Sequence, residues 1–158
     1  MRFRIVEHHP HELYGGPVPT KLSDFQELEY TGIKAIISLY PILDEFKSSL
    51  IRFDHLELYI PDFHPPSLKQ VREFLIFYRQ KLVQKQPTFI HCFAGCGRTG
   101  TMIAIAELFC YGATSAKEAI RRVKSREPCS LDSRTQELFL EQMAYWAGLG
   151  YDLPPLHD

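Results

Sequence analysis

Apolar runs and amphipathic segments alternate along the chain. The β-branched run from Ile33 to Leu39 and the shorter run from Thr88 to His91 are typical of strands covered on both faces. Between these runs, apolar residues recur at helical spacing from Leu68 to Leu82, directly after the capping-box pair Ser67 and Gln70. Strands that alternate with helices in this way predict an α/β fold, with a central, mostly parallel sheet flanked by helices on both faces.

Weaker signals predict the remaining elements. We expect short edge strands at 3–6 and 12–14, and a further strand over 54–60 that ends before Pro61. The pattern predicts other helices over 21–31, 44–50, 98–111, 115–126 and 133–147. No internal repeat or linker-like segment interrupts it, so we expect one domain over residues 1–158.

Composition and charge narrow the class of protein. The 158 residues carry 18 basic and 19 acidic side chains, a formal net charge of −1, without the basic excess of most nucleic-acid binders. The apolar runs are too short or too interrupted to span a bilayer, and the N-terminus lacks the apolar stretch of a secretory signal. Four cysteines are far fewer than a disulfide scaffold needs, so we expect free thiols. We expect a monomer without nucleic-acid or membrane partners, located in the cytoplasm, or also in the nucleus if the cell is eukaryotic.

One loop concentrates the reactive chemistry of the chain. The sequence HCFAGCGRTG, residues 91–100, lies between a buried strand and the first turn of a helix. Backbone N–H groups and the positive end of the helix dipole converge there, which favours a bound anion. Those donors stabilise a thiolate at Cys92, which makes it a candidate nucleophile, and the planar fork of Arg98 suits two oxygens of a phosphate.

Three other classes of binding site have sequence motifs that resemble parts of this loop. The three glycines of the loop fit the dinucleotide fingerprint GxGxxG, but a predicted helix replaces the second strand that should end in a ribose-binding acid. A P-loop NTPase is excluded because no lysine follows the last glycine. A structural zinc site would use His91, Cys92 and Cys96. It would also need a fourth ligand from elsewhere in the chain, such as Cys110 or Cys129.

The loop resembles the signature of the cysteine-dependent protein tyrosine phosphatase superfamily, HCxxGxxRTG. The segment IPDFHPP, residues 60–66, is similar to the mobile loop that carries the general acid of that family. The segment LYGGPVP, residues 13–19, is similar to the opening segment of small atypical dual-specificity phosphatases and of their archaeal relatives. The resemblance extends from about Leu13 to Met143 and implies a phosphatase-like α/β fold, a catalytic domain alone, and no metal or other cofactor.

The resemblance implies a role for four residues. Cys92 would attack phosphorus and form a phosphocysteine intermediate. Asp62 would protonate the leaving oxygen and then accept a proton from the attacking water. Arg98 would bind phosphate oxygens and stabilise the charge of the transition state. The Thr99 hydroxyl would donate a hydrogen bond to the departing sulfur, although a threonine in a first helical turn can also be a local cap.

Further residues would bind the substrate or support the site. The expected phosphate-binding residues are Phe93, Ala94, Gly95, Cys96, Gly97 and Arg98. His91 either orients the loop, as in the family, or is a buried histidine with satisfied hydrogen bonds. Gln136 either positions the hydrolytic water, as in the family, or forms a capping box with Ser133. Cys96, unusual at its position in the signature, is either a small loop residue or a thiol that pairs with an oxidised Cys92. Cys110 or Cys129 could also pair with an oxidised Cys92.

Three histidines near the N-terminus, His8, His9 and His11, carry no assigned function. A metal site is conceivable there, but a Pro-containing chain start is more typical of a solvated surface. We expect these side chains to face solvent.

The expected function is a protein phosphatase that hydrolyses phosphotyrosine faster than phosphoserine and phosphothreonine. Uncharged side chains in the loop disfavour multiply phosphorylated phosphoinositides, and a phenyl ring can pack on apolar neighbours such as Phe63. The alternatives are a phosphatase for a phosphoinositide or an RNA 5′-phosphate, and a catalytically silent module that only binds phosphate. A silent module would have no need of the acid Asp62.

Overall fold

A five-stranded sheet of order β1-β2-β5-β3-β4 organises the computed structural model, which describes residues 2–156. The strands are β1 (Val6–His9), β2 (Leu13–Gly16), β3 (Ala35–Ser38), β4 (Asp54–Glu57) and β5 (Thr88–His91). β1 is antiparallel to β2, and all other neighbouring strands are parallel. The predicted mostly parallel sheet is confirmed.

The helices follow the predicted order. They are α1 (Leu22–Thr31), a 3₁₀ helix (Asp44–Arg52), α2 (Leu68–Gln84), α3 (Gly97–Cys110), α4 (Ala116–Arg126) and α5 (Arg134–Gly148). The capping box before α2 is present, because Ser67 Oγ accepts from the Gln70 N–H and the Gln70 side chain accepts from the Ser67 N–H. Within residues 2–156, no helix is both long enough and apolar enough to cross a membrane.

Apolar side chains on both faces of the sheet form the core. Ile36 and Phe89 pack on one face in a cluster that includes Phe25 of α1. Their neighbours Ile37 and Ile90 point to the other face, into the larger cluster formed with α2 to α5. The expected helices on both faces are therefore present. The buried central strands β3 and β5 are parallel, and their carboxyl ends lie side by side.

Two strands differ from the predicted bounds by three residues. β1 covers residues 6–9 rather than 3–6, because its pairing with β2 starts at Val6 and Gly15, where β2 is about to end. The side chains of Phe3 and Ile5, before the strand, pack against the α1-side cluster. β4 ends at Glu57, although the N–H groups of Leu58 and Ile60 still donate to carbonyls of residues 38 and 39. The chain therefore stays beside the carboxyl end of β3 until residue 60.

The N-terminal histidines correct the expectation of a solvated surface. The His8 side chain is buried, and His9 hydrogen-bonds the buried carboxylate of Glu107 while its ring stacks on Tyr111. The prediction is wrong for these two residues because β1 pairs with β2 and lies against α4, and His9 reaches Glu107 of α3. His11, by contrast, is exposed.

Candidate active site

Cys92 lies directly after β5, where the chain turns toward α3. Its side chain is only 2% exposed, and the Gly95 N–H donates to Cys92 Sγ over 3.3 Å. α3 begins at Gly97, so the positive end of its dipole faces the same loop. The strand, loop and helix predicted from the sequence therefore place a backbone donor and a helix N-terminus beside this sulfur.

Glycines let the loop pack tightly against its neighbours. Gly95 has a φ of +81°, and a Cβ there would lie 2.4 Å from the carbonyl carbon of Gly16. A Cβ on Gly97 would lie 2.1 Å from a carboxylate oxygen of Asp132. The Val18 N–H also donates to the Phe93 carbonyl over 3.1 Å. Segment 13–19, identified above by resemblance, is thus the support on which the loop rests.

The Arg98 side chain joins the loop to the segment that carries Asp62. Its guanidinium donates to the Ile60 carbonyl over 2.9 Å and lies 3.7 Å from Asp62 Oδ1. Its carbon Cζ also lies 5.6 Å from the centroid of the Tyr40 ring. The structure thus brings together two predicted site residues that are 36 positions apart in the chain, 98 minus 62.

Asp62 lies at an exposed turn that other hydrogen bonds hold in place. The Phe63 N–H donates to Asp62 Oδ1 over 3.0 Å, and Phe63 itself has a φ of +64°. The hydroxyl of Ser133, the residue before α5, donates to the Phe63 carbonyl over 2.7 Å. The acidic turn is therefore anchored to both α3 and α5.

His91 is fully buried and both of its ring nitrogens have partners. Nδ1 lies 3.0 Å from the Cys92 carbonyl oxygen, and Nε2 lies 2.6 Å from Ser38 Oγ. Burial lowers the pKa of His91 to about 4, so the ring is neutral at neutral pH. A carbonyl can only accept, so Nδ1 carries the proton and Nε2 accepts from the Ser38 hydroxyl. The ring therefore holds the first residue of the loop to β3, which fits both interpretations made from the sequence.

We expect stability to fall in mild acid because of His8 and His91. Burial lowers the pKa of each to about 4, against 6.5 for an exposed imidazole. At pH values between about 4 and 6.5, the two histidines bind protons in the unfolded chain but not in the folded chain. The free energy of unfolding therefore decreases as the pH falls through this range. The expected loss is about 2 kcal/mol per histidine between pH 7.5 and pH 5.

Urea unfolding at the two pH values measures this loss. His8→Asn removes one of the two contributions, and should make the fall about 2 kcal/mol smaller than in the wild type. An equal fall in both proteins would contradict the assignment.

Thr99 and Gln136 each bury a polar group that has no hydrogen-bond partner in the described part of the chain. These groups are Thr99 Oγ1 and Gln136 Nε2. Ser133 Oγ accepts from the Gln136 N–H, while Gln136 Oε1 accepts from the Asp132 N–H rather than from Ser133. The Gln136 oxygen thus has a structural partner near the start of α5, whereas its amide nitrogen remains available.

A disulfide corrects the expectation that all thiols are free. Cys96 of the loop is bonded to Cys129, with 5.1 Å between the Cα atoms, whereas Cys92 and Cys110 are free. Cys96 therefore has a partner other than Cys92. The zinc alternative is also wrong, because Cys96 is in this bond and both nitrogens of His91 are in hydrogen bonds.

An open pocket of about 620 Å³ adjoins Arg98 and Asp62. Its lining is mostly apolar and consists of Leu39, Tyr40, Pro41, Tyr59, Ile60, Pro61, Asp62, Phe93 and Arg98. Tyr40 and Phe93 meet edge to face, with 5.3 Å between the ring centroids. Sequence reasoning suggested Phe63 as the apolar neighbour of a substrate ring, but Phe63 is not part of this lining. The signal for Tyr40 was its position just after a buried parallel strand, where sites of α/β proteins form.

Comparison with known proteins agrees with this arrangement. The family model described as "Tc-R-P: Polymorphic toxin system, DSP-PTPase phosphatase" matches residues 13–113, more than half of the chain. The chain belongs to this family. The DSP-PTPase match contains Asp62, Cys92, Arg98 and Thr99 and confirms the resemblance noted from the motifs, whereas Cys129 and Gln136 lie outside it.

Individual relatives place this DSP-PTPase domain among dual-specificity and tyrosine phosphatases. It is 35% identical over 95 residues to mouse "Dual specificity protein phosphatase CDC14B", covering 60% of this chain and 19% of the relative. It is 32% identical over 90 residues to an Arabidopsis thaliana protein, "Phosphatidylinositol 3,4,5-trisphosphate 3-phosphatase and protein-tyrosine-phosphatase PTEN1", covering 56% and 21%. The match thus spans about a fifth of each of these curated relatives.

A solved structure confirms the fold. The crystal structure of PTPMT1 superposes with a TM-score of 0.79 at 18% identity, covering 93% of this chain and 98% of that one. The predicted phosphatase-like α/β fold is therefore present.

Proposed function

We propose that this chain is a protein phosphatase that hydrolyses phosphotyrosine, and more slowly phosphoserine and phosphothreonine, through a phosphocysteine intermediate. The observation that carries the proposal is the placement of three groups on one loop and on the turn that contacts it. Buried Cys92 begins the donor-lined loop, Arg98 closes it, and the same guanidinium lies 3.7 Å from the carboxylate of Asp62. A nucleophile, a cation and an acid are the three groups that this reaction requires.

In the first step, Cys92 Sγ attacks phosphorus while the bond from phosphorus to the leaving oxygen breaks. Asp62 gives its proton to that oxygen. The backbone N–H groups of the loop and the Arg98 fork stabilise the three other phosphate oxygens as charge redistributes. The products are a phosphocysteine and the free alcohol or phenol.

In the second step, water attacks phosphorus and the bond to sulfur breaks. Asp62, now a carboxylate, accepts the proton of the water. The unpartnered Gln136 amide nitrogen can hold that water, and the unpartnered Thr99 hydroxyl can donate to the departing sulfur. Phosphate leaves, and the thiolate and the protonated acid are restored.

The pocket beside Arg98 supports phosphotyrosine as the best substrate. Its aromatic walls, Tyr40, Tyr59 and Phe93, suit the face and edge of a phenyl ring. Phenolate is also a better leaving group than the alkoxide of serine or threonine. Both effects favour the tyrosine phosphoester, while the open mouth of the pocket leaves room for the other two.

Phosphoinositides fit the loop less well. The side chains of Phe93 and Ala94 carry no charge, and Cys96 is in a disulfide bond. These positions therefore offer no cation to offset the cost of bringing further phosphates of an inositol ring into the site.

A panel of matched substrates tests the proposed order of substrate preference. We expect kcat/KM for a phosphotyrosine peptide to exceed that for the same peptide with phosphoserine by at least about tenfold. Phosphoinositides and RNA 5′-phosphates should be poorer substrates still. Tyr40→Ala should lower the phosphotyrosine value more than the phosphoserine value, because only the aromatic substrate loses a ring contact.

Two outcomes would contradict the proposal. A clear preference for a phosphoinositide or an RNA 5′-phosphate would assign the site to a non-protein substrate. Binding of phosphopeptides without turnover of any substrate would make the domain a silent phosphate-binding module.

A further inference from the structure

The side chain of Arg4 lies behind the phosphate-binding loop, on the N-terminal segment before β1. Its Nη2 is 3.4 Å from the Ala94 carbonyl oxygen. The guanidinium also forms a two-point ion pair with Glu127, with both N–O distances at 3.3 Å. About a third of the Arg4 side chain is exposed, against 15% of Glu127, so solvent only partly screens this pair.

The Arg4 contact falls on the peptide unit that also contacts the nucleophile. A trans peptide is planar, and its C=O and N–H point in opposite directions. Here the Ala94 carbonyl accepts from Arg4, and the N–H of the same unit, that of Gly95, donates to Cys92 Sγ over 3.3 Å. Rotation of this unit would break both hydrogen bonds at once.

Glycine at position 95 allows the Ala94–Gly95 peptide unit more than one orientation. Gly95 has a φ of +81° and no side chain, so several backbone conformations are open to it. A charged donor on the carbonyl favours the observed one, and it also polarises the peptide and strengthens its N–H as a donor.

A disulfide bond lies next to the Arg4 guanidinium. The disulfide between Cys96 and Cys129 ties the loop to the segment that carries Glu127. Both sulfurs lie within 4.0 Å of Arg4 Nη2. The two acceptors of Arg4, the Ala94 carbonyl and the Glu127 carboxylate, therefore belong to segments that a covalent bond joins.

We propose that Arg4 is a positioning residue for the reaction, which holds the Ala94–Gly95 peptide so that its N–H faces the Cys92 sulfur. By doing so it stabilises the thiolate over the thiol. The importance of this for turnover rests on the proposed function, in which Cys92 is the nucleophile, but the effect on the sulfur does not.

The test is the pH dependence of alkylation of Cys92 by iodoacetamide, a neutral reagent that reacts with the thiolate. Arg4→Gln should slow the reaction at pH 6 about three- to tenfold and leave the rate at high pH unchanged. Arg2→Gln is the matched control, since it removes the same charge from an exposed side chain two residues away and should keep the wild-type profile. Mass spectrometry separates Cys92 from Cys110, the other free thiol of the described chain. No thiol reductant is added, so the disulfide stays intact.

Further measurements keep the proposal falsifiable. The other ionisable groups around the loop are the same in all variants; they are His91, Arg98, Asp62, Asp132 and Glu127. Urea unfolding reports any loss of stability separately. Arg4→Lys keeps the charge and should restore part of the profile. A wild-type profile in Arg4→Gln, with or without reduced stability, would overturn the proposal, as would an equal shift in Arg2→Gln. A shifted profile in a protein that hydrolyses no phosphoester would support the positioning role and refute the proposed function.

Discussion

Replacing Cys92 with serine should lower the kcat for an aryl phosphate by at least about 10⁴-fold. The sulfur lies in a nearly solvent-free position with the Gly95 N–H as a donor, an arrangement that stabilises a thiolate. A serine hydroxyl does not ionise near neutral pH, and the described loop places no general base beside it. Turnover of 4-nitrophenyl phosphate in a buffer with EDTA measures the loss.

Cys110→Ser is the matched control for this prediction. Cys110 is the other free cysteine of residues 2–156, and it lies at the far end of α3, away from the loop. This variant should keep wild-type activity. Appreciable turnover by Cys92→Ser would refute the phosphocysteine mechanism, and equal losses in both variants would show that the change acts through folding.

Features that depend on neighbours in sequence could be predicted from the sequence. The capping box of Ser67 and Gln70 closes within one turn, and it gave the start of α2 correctly. The strand, loop and helix around Cys92 could likewise be read from one ten-residue stretch. The acid Asp62 came from a second short motif, and the structure places it beside Arg98.

Features that join distant segments could not be predicted in this way. The bond between Cys96 and Cys129 spans 33 positions, and four cysteines allow several pairings that spacing alone does not distinguish. Arg4 reaches the loop only because β1 lies at the sheet edge next to β2, which itself pairs with β5. A single arginine near the chain start gives no sign of that contact.

Burial of the N-terminal histidines has the same origin. The sequence HHPH suggests a solvated chain start, since proline and histidine are common on surfaces. Pairing of β1 with β2 instead turns His8 inward and brings His9 to Glu107 of α3. Tertiary structure overrides local composition here, with the acid sensitivity predicted above as its measurable consequence.

Two contacts to its backbone hold the acid turn, in addition to the hydrogen bond that Asp62 Oδ1 accepts from the Phe63 N–H. Arg98 donates to the Ile60 carbonyl on one side of the turn, and Ser133 donates to the Phe63 carbonyl on the other. A change confined to the Asp62 carboxylate should therefore leave the turn in place. This makes an isosteric substitution a clean test of its proton.

Asp62→Asn should lower kcat for phenyl phosphate by ~10²–10⁴, the usual contribution of a positioned general acid. An amide cannot give a proton to the leaving oxygen, so the loss should depend on how much that oxygen needs one. It should be much smaller for 4-nitrophenyl phosphate, whose leaving group is stable as an anion. Asp152→Asn makes the same change at an exposed residue outside the site, and it should leave kcat unchanged for both substrates. An equal loss for both leaving groups would mean that Asp62 stabilises the site without transferring a proton, because a proton donor must act in proportion to the basicity of the oxygen it serves.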